Sequence, residues 1–204
     1  MKHTPILLTL VAASASAAVG VGSGLNYNRV EVGYTNNDAF KGLGVSATAE
    51  LANSGVLVSG SYSDLNGKGD LDGLDGHETG FGLAYKFNVG SGDLAVGLGY
   101  RQGQYESDIA VAQGEQKSFG VQYRQAIGSF EVSAGYQRVR TQLGALAVDI
   151  FGDIYAVDDS ISANVFNVGA RYNFTQNFDV SLSYVIQKDE IGGNGLAISA
   201  GYSF

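Results

Sequence analysis

The chain has 204 residues, of which 16% are charged, with a formal net charge of −8 at pH 7 and no cysteine. This length fits one domain, and the acidic balance excludes a nucleic-acid-binding protein, which needs a basic stripe. No segment approaches the ~20 consecutive apolar residues of a membrane-spanning helix. Instead, 30 glycines, 12 tyrosines and 10 phenylalanines with few charges are typical of strands that alternate between two environments.

The N-terminal segment has the three parts of a secretory signal peptide. Lys2 supplies a positive charge, residues 6–13 form a short apolar run, and Ala15-Ser16-Ala17 fits a cleavage site of small residues. We therefore predict that residues 1–17 are removed and that residues 18–204 form the single mature domain. A short N-terminal anchor is the alternative, but its apolar run is too short to span a membrane.

Ten segments of the remaining chain alternate apolar residues with small or polar ones, the period of two expected for a β-strand. The alternation is clearest in segment 43–51, where leucine, valine and alanine alternate with glycine, serine, threonine and glutamate. The segments approach the ~9–11 residues that a tilted strand needs to cross the hydrocarbon. In chain order they are 25–34, 43–51, 56–62, 80–87, 93–101, 118–126, 130–137, 165–174, 178–187 and 196–204.

The connections between these segments alternate in length. Tight turns are predicted near Asn53, Gly90, Gly128 and Gln176. The other connections are longer, at 35–42, 64–79, 102–117, 138–164 and 188–195. An even number of strands with short turns on one side and long loops on the other is the topology of bacterial outer-membrane barrels, with both termini on the periplasmic side.

Aromatic residues are predicted to form two girdles at the ends of the strands, as in membrane barrels. If odd-numbered strands run outward, the outer girdle includes Tyr34, Tyr62, Tyr100, Tyr136 and Tyr184. The periplasmic girdle then includes Phe87, Tyr123, Phe130, Phe174, Phe178 and Phe204. A soluble β-sandwich or lipocalin-like barrel is the alternative. Its polar face should be rich in lysine, glutamate and threonine, whereas glycine, serine and alanine dominate here.

The predicted fold class is therefore all-β: a closed, antiparallel, up-and-down transmembrane β-barrel of ten strands, with eight strands as the alternative. It has short periplasmic turns and longer extracellular loops. The signal segment, the opening stretch 27–34 and the terminal Gly201-Tyr202-Ser203-Phe204 resemble the small outer-membrane β-barrels of the OmpA-like, opacity-type and porin-like group. The resemblance covers the whole mature chain and is carried mostly by pattern.

This resemblance implies an outer-membrane location with the lipid bilayer and lipopolysaccharide as surroundings. It also implies that the outer-membrane assembly machinery recognises the last strand, which ends at Phe204. The common small members of the group have eight strands, so a count of ten is a departure. The group includes narrow pores, adhesins and structural barrels, so the fold alone does not choose a function.

The less apolar face of the strands carries charged side chains that are predicted to line the lumen. Buried charges need partners, which favours a network of ion pairs. The many small residues on the same face favour a narrow polar pore, because ten strands lined by glycine and serine leave water-filled space. The predicted lumen-lining residues are Arg29, Glu31, Glu50, Lys86, Asp93, Arg101, Arg124, Glu131, Arg171 and Asp179.

Two of the long connections have unusual sequences. Residues 64–75 follow part of the EF-hand calcium spacing, but Lys68 occupies a ligand position and no flanking helices are predicted. We therefore expect an acidic, solvated loop and no metal site. Residues 143–157 are apolar, and we predict that strands 7 and 8 continue as a hairpin that turns at 151–153. An exposed apolar tip of this kind usually marks a surface for interaction.

These observations predict a porin-like integral outer-membrane protein, either a narrow pore for small solutes or ions or a structural barrel. The alternative is an adhesin that binds a host or cell-surface ligand through loops 64–79 and 138–164. No cofactor is predicted. No catalytic residue is predicted either, because His77 is the one histidine of the mature chain and lies in a glycine-rich loop with no serine partner beside it.

Overall fold

A computed structural model of the chain describes residues 25–108, 110–148, 154–188 and 193–204. Within these ranges, ten antiparallel strands each pair with their neighbours in sequence, and the first pairs with the last to close a barrel. The ten-stranded all-β prediction is therefore confirmed. The strands are β1 Arg29–Asn37, β2 Phe40–Glu50, β3 Val56–Gly67, β4 Asp75–Val89, β5 Gly92–Ser107, β6 Ala110–Ile127, β7 Phe130–Val148, β8 Ile154–Asn173, β9 Phe178–Lys188 and β10 Gly195–Ser203.

The predicted signal peptide, residues 1–17, lies outside the described residues. Among those that are described, no helix is long and apolar enough to cross a membrane.

The apolar face of the strands lies on the outside of the barrel. Val32 is 61% exposed, Leu43 62% and Phe81 69%, while the residues that alternate with them point inward. The tyrosines and phenylalanines of both predicted girdles are also exposed on this outer surface, except Tyr123, which is half-buried. Some pair across strands, as Tyr136 does with Phe166 at 5.1 Å. An apolar outer surface of this kind is typical of a barrel whose outer face contacts lipid instead of water.

The strand register sets the tilt and width of the barrel. Following paired residues around the barrel from Gly169 on β8 leads back to the same strand at Val157, twelve residues away, so the shear number is 12. A stagger of this size tilts strands by roughly 35–45° in closed barrels. About eight strands make a barrel that side chains just fill, so ten strands leave more interior width.

The periplasmic turns have the predicted tight geometry. Gly90 and Gly128, each with φ 63°, open two-residue turns that join Val89 to Gly92 and Ile127 to Phe130. A positive φ at the first central residue matches the right-handed twist of the flanking strands, and glycine adopts it without strain.

The connections on the other side are longer, as predicted, but most of their residues lie in strands rather than in loops. β3 extends to Gly67 and β4 begins at Asp75, which leaves only the centre of segment 64–79 outside the strands. β5 and β6 pair out to Ser107 and Ala110. β7 and β8 pair out to Val148 and Ile154, which confirms the predicted hairpin extension, while its turn at 151–153 lies outside the described residues.

We call the extended outer parts of β5, β6, β7 and β8 the crown. It comprises residues 102–107, 110–117, 138–148 and 154–164. Its sequence lacks the clean alternation of the membrane belt, by which we mean the strand parts that coincide with the ten predicted segments. The crown strands form because each backbone pairs with its neighbour, and this satisfies N–H and C=O groups whatever the side-chain pattern is.

Candidate functional site in the barrel lumen

Three arginines and three carboxylates pack together near the periplasmic ends of the strands, and we call them the base network. Its first half joins β1, β9 and β10. Arg29 Nη2 lies 2.8 Å from Glu31 Oε1 and 2.9 Å from Asp179 Oδ1. Ser199 Oγ donates a hydrogen bond to Glu31 Oε1 at 3.0 Å. Arg29 is only 2% exposed, so this contact is sealed from bulk water.

The second half of the base network joins β6, β7 and β8. Glu131 accepts hydrogen bonds from Arg124 and from Arg171, whose Nη1 lies 3.1 Å from Glu131 Oε1. Arg171 Nε also lies 3.3 Å from Asp179 Oδ1, which connects the two halves. The six members are Arg29, Glu31, Arg124, Glu131, Arg171 and Asp179.

The charges of the base network balance, but not every hydrogen-bond donor is satisfied. Within the described residues, Arg29 Nε and Nη1 and Arg124 Nη1 are buried without a hydrogen-bond partner. A buried donor without a partner loses its hydration and gains no bond in return. The network is therefore held by its ion pairs and carries a desolvation penalty.

A second group closes the rest of the base. Lys86 Nζ lies 2.7 Å from Glu50 Oε2 and 4.4 Å from the centre of the Tyr27 ring. Asp93 is 1% exposed beside them, and Tyr27 packs with the buried Leu57. Cation, carboxylates and apolar side chains together fill this part of the lumen.

A third ionic group lies in the outer half of the lumen. Glu78 is 3% exposed, accepts a hydrogen bond from Tyr105 Oη at 2.5 Å, and lies 3.1 Å from Arg101 Nη1. Glu78 and Tyr105 are not among the predicted lumen residues, because the sequence pattern predicts connections at 64–79 and 102–117. Strand alternation could have indicated Glu78, because it lies two and four residues before Gly80 and Gly82, which face the lumen on the same strand.

An apolar cluster, which we call the outer seal, fills the lumen at the extracellular side. Phe40 on β2 reaches Tyr105 on β5, with ring centroids 5.2 Å apart. A second apolar cluster from β7, β8 and β9 lies in the barrel interior: Val139, Ala163, Val165 and Val185. The outer seal consists of Phe40, Leu65, Leu74, Tyr105, Ala112 and Leu143, each 1–7% exposed.

The remaining lumen is lined by small residues and amides, and we call it the chamber. It holds two cavities of about 140 and about 70 Å³ that share Ser61, Gln122 and Asn167 as lining residues. Glycine is required on this wall, because a Cβ at Gly82 would meet Ser59 Oγ and one at Gly135 would meet Asn167 Oδ1. Since one buried water needs about 10–15 Å³ of such space, the chamber has room for several waters or one small polar solute.

Nine of the ten residues predicted to line the lumen lie at its base, where the structure pairs most of them with opposite charges. Arg101 lies apart, with Glu78. The calcium-like spacing does not produce a loop, because Asp64 lies on β3 and Asp75 on β4. Within the described residues, no group of three or more histidine, aspartate or glutamate side chains is placed to hold a metal. His77 is exposed and stacks on Tyr62 with ring centroids 6.2 Å apart.

Solved structures with related folds are bacterial barrels of low sequence identity. The beta domain of the Bordetella autotransporter BrkA is 12% identical, with a TM-score of 0.52 over 86% of this chain and 97% of that one. The translocator domain of the autotransporter NalP from Neisseria meningitidis is 10% identical, with a TM-score of 0.51 over 91% of each chain. A KdgM porin in complex with disordered oligogalacturonate is 12% identical, with a TM-score of 0.49 over 86% of this chain and 99% of that one.

Such low identities show a shared fold only. No curated protein sequence matches the chain. The family model described as Gram-negative porin matches residues 9–184, which is most of the sequence. With its closed barrel and apolar outer belt, this chain belongs to the Gram-negative porin family and is a porin-like barrel of the outer membrane.

Proposed function

We propose that the barrel is a narrow pore for small solutes or ions. The observation that supports this most directly is the chamber, an interior space lined by glycine, serine and amide side chains. A purely structural barrel gains nothing from such space, because packed side chains would stabilise it more. In this proposal the path continues through the base, where nine of the ten charged residues named from the sequence pack together, so a solute passes there only when these side chains move apart; Arg101 lines the outer half of the path. The mutual pairing of these charges keeps the path polar without a large net charge.

Planar-bilayer recording with the purified protein tests the proposal. We expect small, discrete conductance steps above the bare membrane, and no steps for heat-denatured protein. Ser61→Phe should reduce the step size, because Ser61 lines both cavities of the chamber. Ser162→Phe is the matched control, since Ser162 is exposed on the crown. If the wild-type protein gives no conductance, the pore proposal is wrong.

Surface binding through segments 64–79 and 138–164 is the second candidate function. The observation that favours it is the length of β7 and β8, 19 and 20 residues, against the ~9–11 needed to cross the hydrocarbon. The excess projects beyond the membrane as the crown. Deletion of the crown tip, residues 146–156, should abolish binding of cells to a host surface if this candidate is correct, and leave conductance unchanged if the pore is the function.

We also infer that the outer-membrane assembly machinery recognises β10. Phe204 follows this strand and is 64% exposed on the lipid side, where another protein can reach it. Phe204→Ala should lower the fraction of protein that reaches the folded, heat-modifiable form in cells. Refolding of the purified variant into detergent should be unchanged, which separates recognition from stability.

A further inference from the structure

The connection between β3 and β4 folds over the outer end of the lumen, and we call residues 68–74 the lid. Its centre is a single 3-10 turn, Gly69–Leu71. Gly69 is the first residue of this turn and Gly73 follows it, with φ of 61° and 83°, and no atoms lie within 4 Å of where their Cβ atoms would be. Both positions therefore combine a glycine-favoured backbone with free space around it.

The lid supplies one member of the outer seal. Leu74 is 5% exposed and packs in the cluster that includes Phe40 and Tyr105. Leu71 packs against the same cluster from the lid. Every other member of the outer seal lies on a barrel strand, with both of its backbone edges paired or close to a paired neighbour. Leu74 is thus the member of the described seal that a local backbone change can remove.

Lys68 fastens the lid to the end of β1 and the turn that follows it. Its Nζ donates hydrogen bonds to Asn36 Oδ1 at 2.6 Å and to the Asn37 carbonyl at 2.7 Å. Its backbone N–H donates to the Ala39 carbonyl at 2.8 Å. At the end of β3, the Gly67 N–H donates to the Leu74 carbonyl at 2.7 Å, which folds Leu74 back toward this strand.

The lid backbone packs so closely against Gly67 that only glycine fits at this position. A Cβ there would overlap the Leu71 carbonyl oxygen and lie 2.9 Å from that of Leu74. Similarly, a Cβ at Gly76 would meet the ring of Tyr105, so glycine allows this ring to lie against β4, in the cluster that includes Leu74. Glycines on both sides of the lid therefore permit the closed arrangement.

We propose that the lid is the outer gate of the pore, with Lys68 holding it shut and Leu74 completing the seal. The inference rests on the proposed pore function. With the lid closed, the apolar cross-section excludes water and ions, as hydrophobic constrictions do in channels by dewetting. Rotation about Gly69 and Gly73 withdraws Leu74 and opens a path from the extracellular side to the chamber.

Accessibility of a single cysteine in the chamber tests the gate without relying on conductance. The chain has no cysteine, so Ser61→Cys places one thiol in the chamber and gives no background. A charged, thiol-reactive reagent should label it slowly in detergent-solubilised protein. Adding Leu74→Ser or Lys68→Met should raise the labelling rate at least tenfold, because the first weakens the seal and the second removes the ammonium.

Leu51→Ser in the same background is the matched control. Leu51 is 48% exposed at the periplasmic turn between β2 and β3, so the same change there leaves the lid intact and the rate unchanged. Heat-modifiable migration on gels shows that each variant retains a folded barrel. An unchanged labelling rate in both lid variants overturns the gate, whatever the conductance.

Bilayer recording separates this inference from the pore function itself. We expect the lid variants to be open for a several-fold larger fraction of the time than the wild type. If labelling accelerates but no variant conducts, the lid moves and the pore function is wrong. If the wild type conducts and the lid variants neither conduct more nor label faster, the pore stands and the gate is wrong.

Discussion

In the base network, a single carboxylate can bind two arginines, and Glu131 is the clearest case. It accepts from Arg124 and Arg171, both of which are buried. Glu131→Gln leaves two guanidinium groups facing each other with one carboxylate fewer. Removing one partner of a buried ion pair costs about 3–5 kcal/mol, so we expect a clear drop in the urea midpoint for unfolding from detergent or vesicles. Glu106→Gln, on an exposed crown position, should leave the midpoint unchanged. Equal midpoints for the two variants would show that the network does not stabilise the barrel.

Gly201 gives a steric test at the same scale. A Cβ at this position would overlap the Arg29 guanidinium and lie 2.9 Å from both Asp179 carboxylate oxygens. Gly201→Ala must therefore displace a buried ion pair, and overpacking of this kind costs about 1–3 kcal/mol. The control is Gly144→Ala on β7, where nothing lies within 4 Å of the added carbon. Denaturant unfolding should separate the two variants. An equal stability would mean that Arg29 adjusts freely, contrary to its tight burial.

At the level of the strands, a charge on the outer face should distinguish the membrane belt from the crown. Val32 on β1 is 61% exposed in the belt, and Val111 on β6 is 50% exposed in the crown. Arginine at the bilayer midplane destabilises membrane barrels by about 2–4 kcal/mol, and by much less outside the hydrocarbon. Val32→Arg should therefore lower stability in vesicles strongly and Val111→Arg hardly at all. Measurement of both unfolding free energies in the same lipid tests this, and similar losses would place β6 deeper in the membrane than its register implies.

The belt strands could be predicted from sequence because lipid and lumen impose opposite demands on successive residues. The crown could not be predicted in this way. In segments 102–117 and 138–164 both faces meet water or packed side chains, so the alternation fades and the sequence pattern predicts long connections there. These strands are determined by pairing with distant neighbours, such as Gln113 with Gly144, which no local pattern reveals.

The lumen was predictable in residue type but not in arrangement. Inward charges such as Arg29 and Asp179 follow from strand parity, whereas their contact joins positions 150 residues apart. The outer seal was missed because Phe40, Leu74 and Tyr105 lay in predicted loops, where an apolar residue carries no directional signal. Correct register on β4 and β5 brings Glu78, Arg101 and Tyr105 together, and only pairing of the whole sheet supplies that register.

For the whole molecule, the lumen is divided into an ionic base, a small polar chamber and an apolar outer seal. The base is held by charges that lose their hydration, and the outer seal by apolar contact, so the two ends respond to different conditions. Salt weakens exposed charge interactions and acts much less on buried pairs. The outer seal is held by the hydrophobic effect, so cooling weakens it. A barrel of this kind can therefore remain folded while its outer end opens.

Shortening the crown tests whether the barrel and its pore are independent of the projecting hairpin. Joining Ala145 to Val157 through an Asn-Gly turn preserves their cross-strand pairing and removes residues 146–156. This two-residue turn suits the twist of antiparallel strands, and Leu143 remains in the outer seal. The membrane belt keeps every pair between β7 and β8 from Phe130 to Gln137. We therefore expect unchanged heat-modifiable migration and unchanged bilayer conductance, together with loss of any binding of cells to a host surface. Loss of conductance in a barrel that still folds would assign the pore to the crown tip rather than to the lumen.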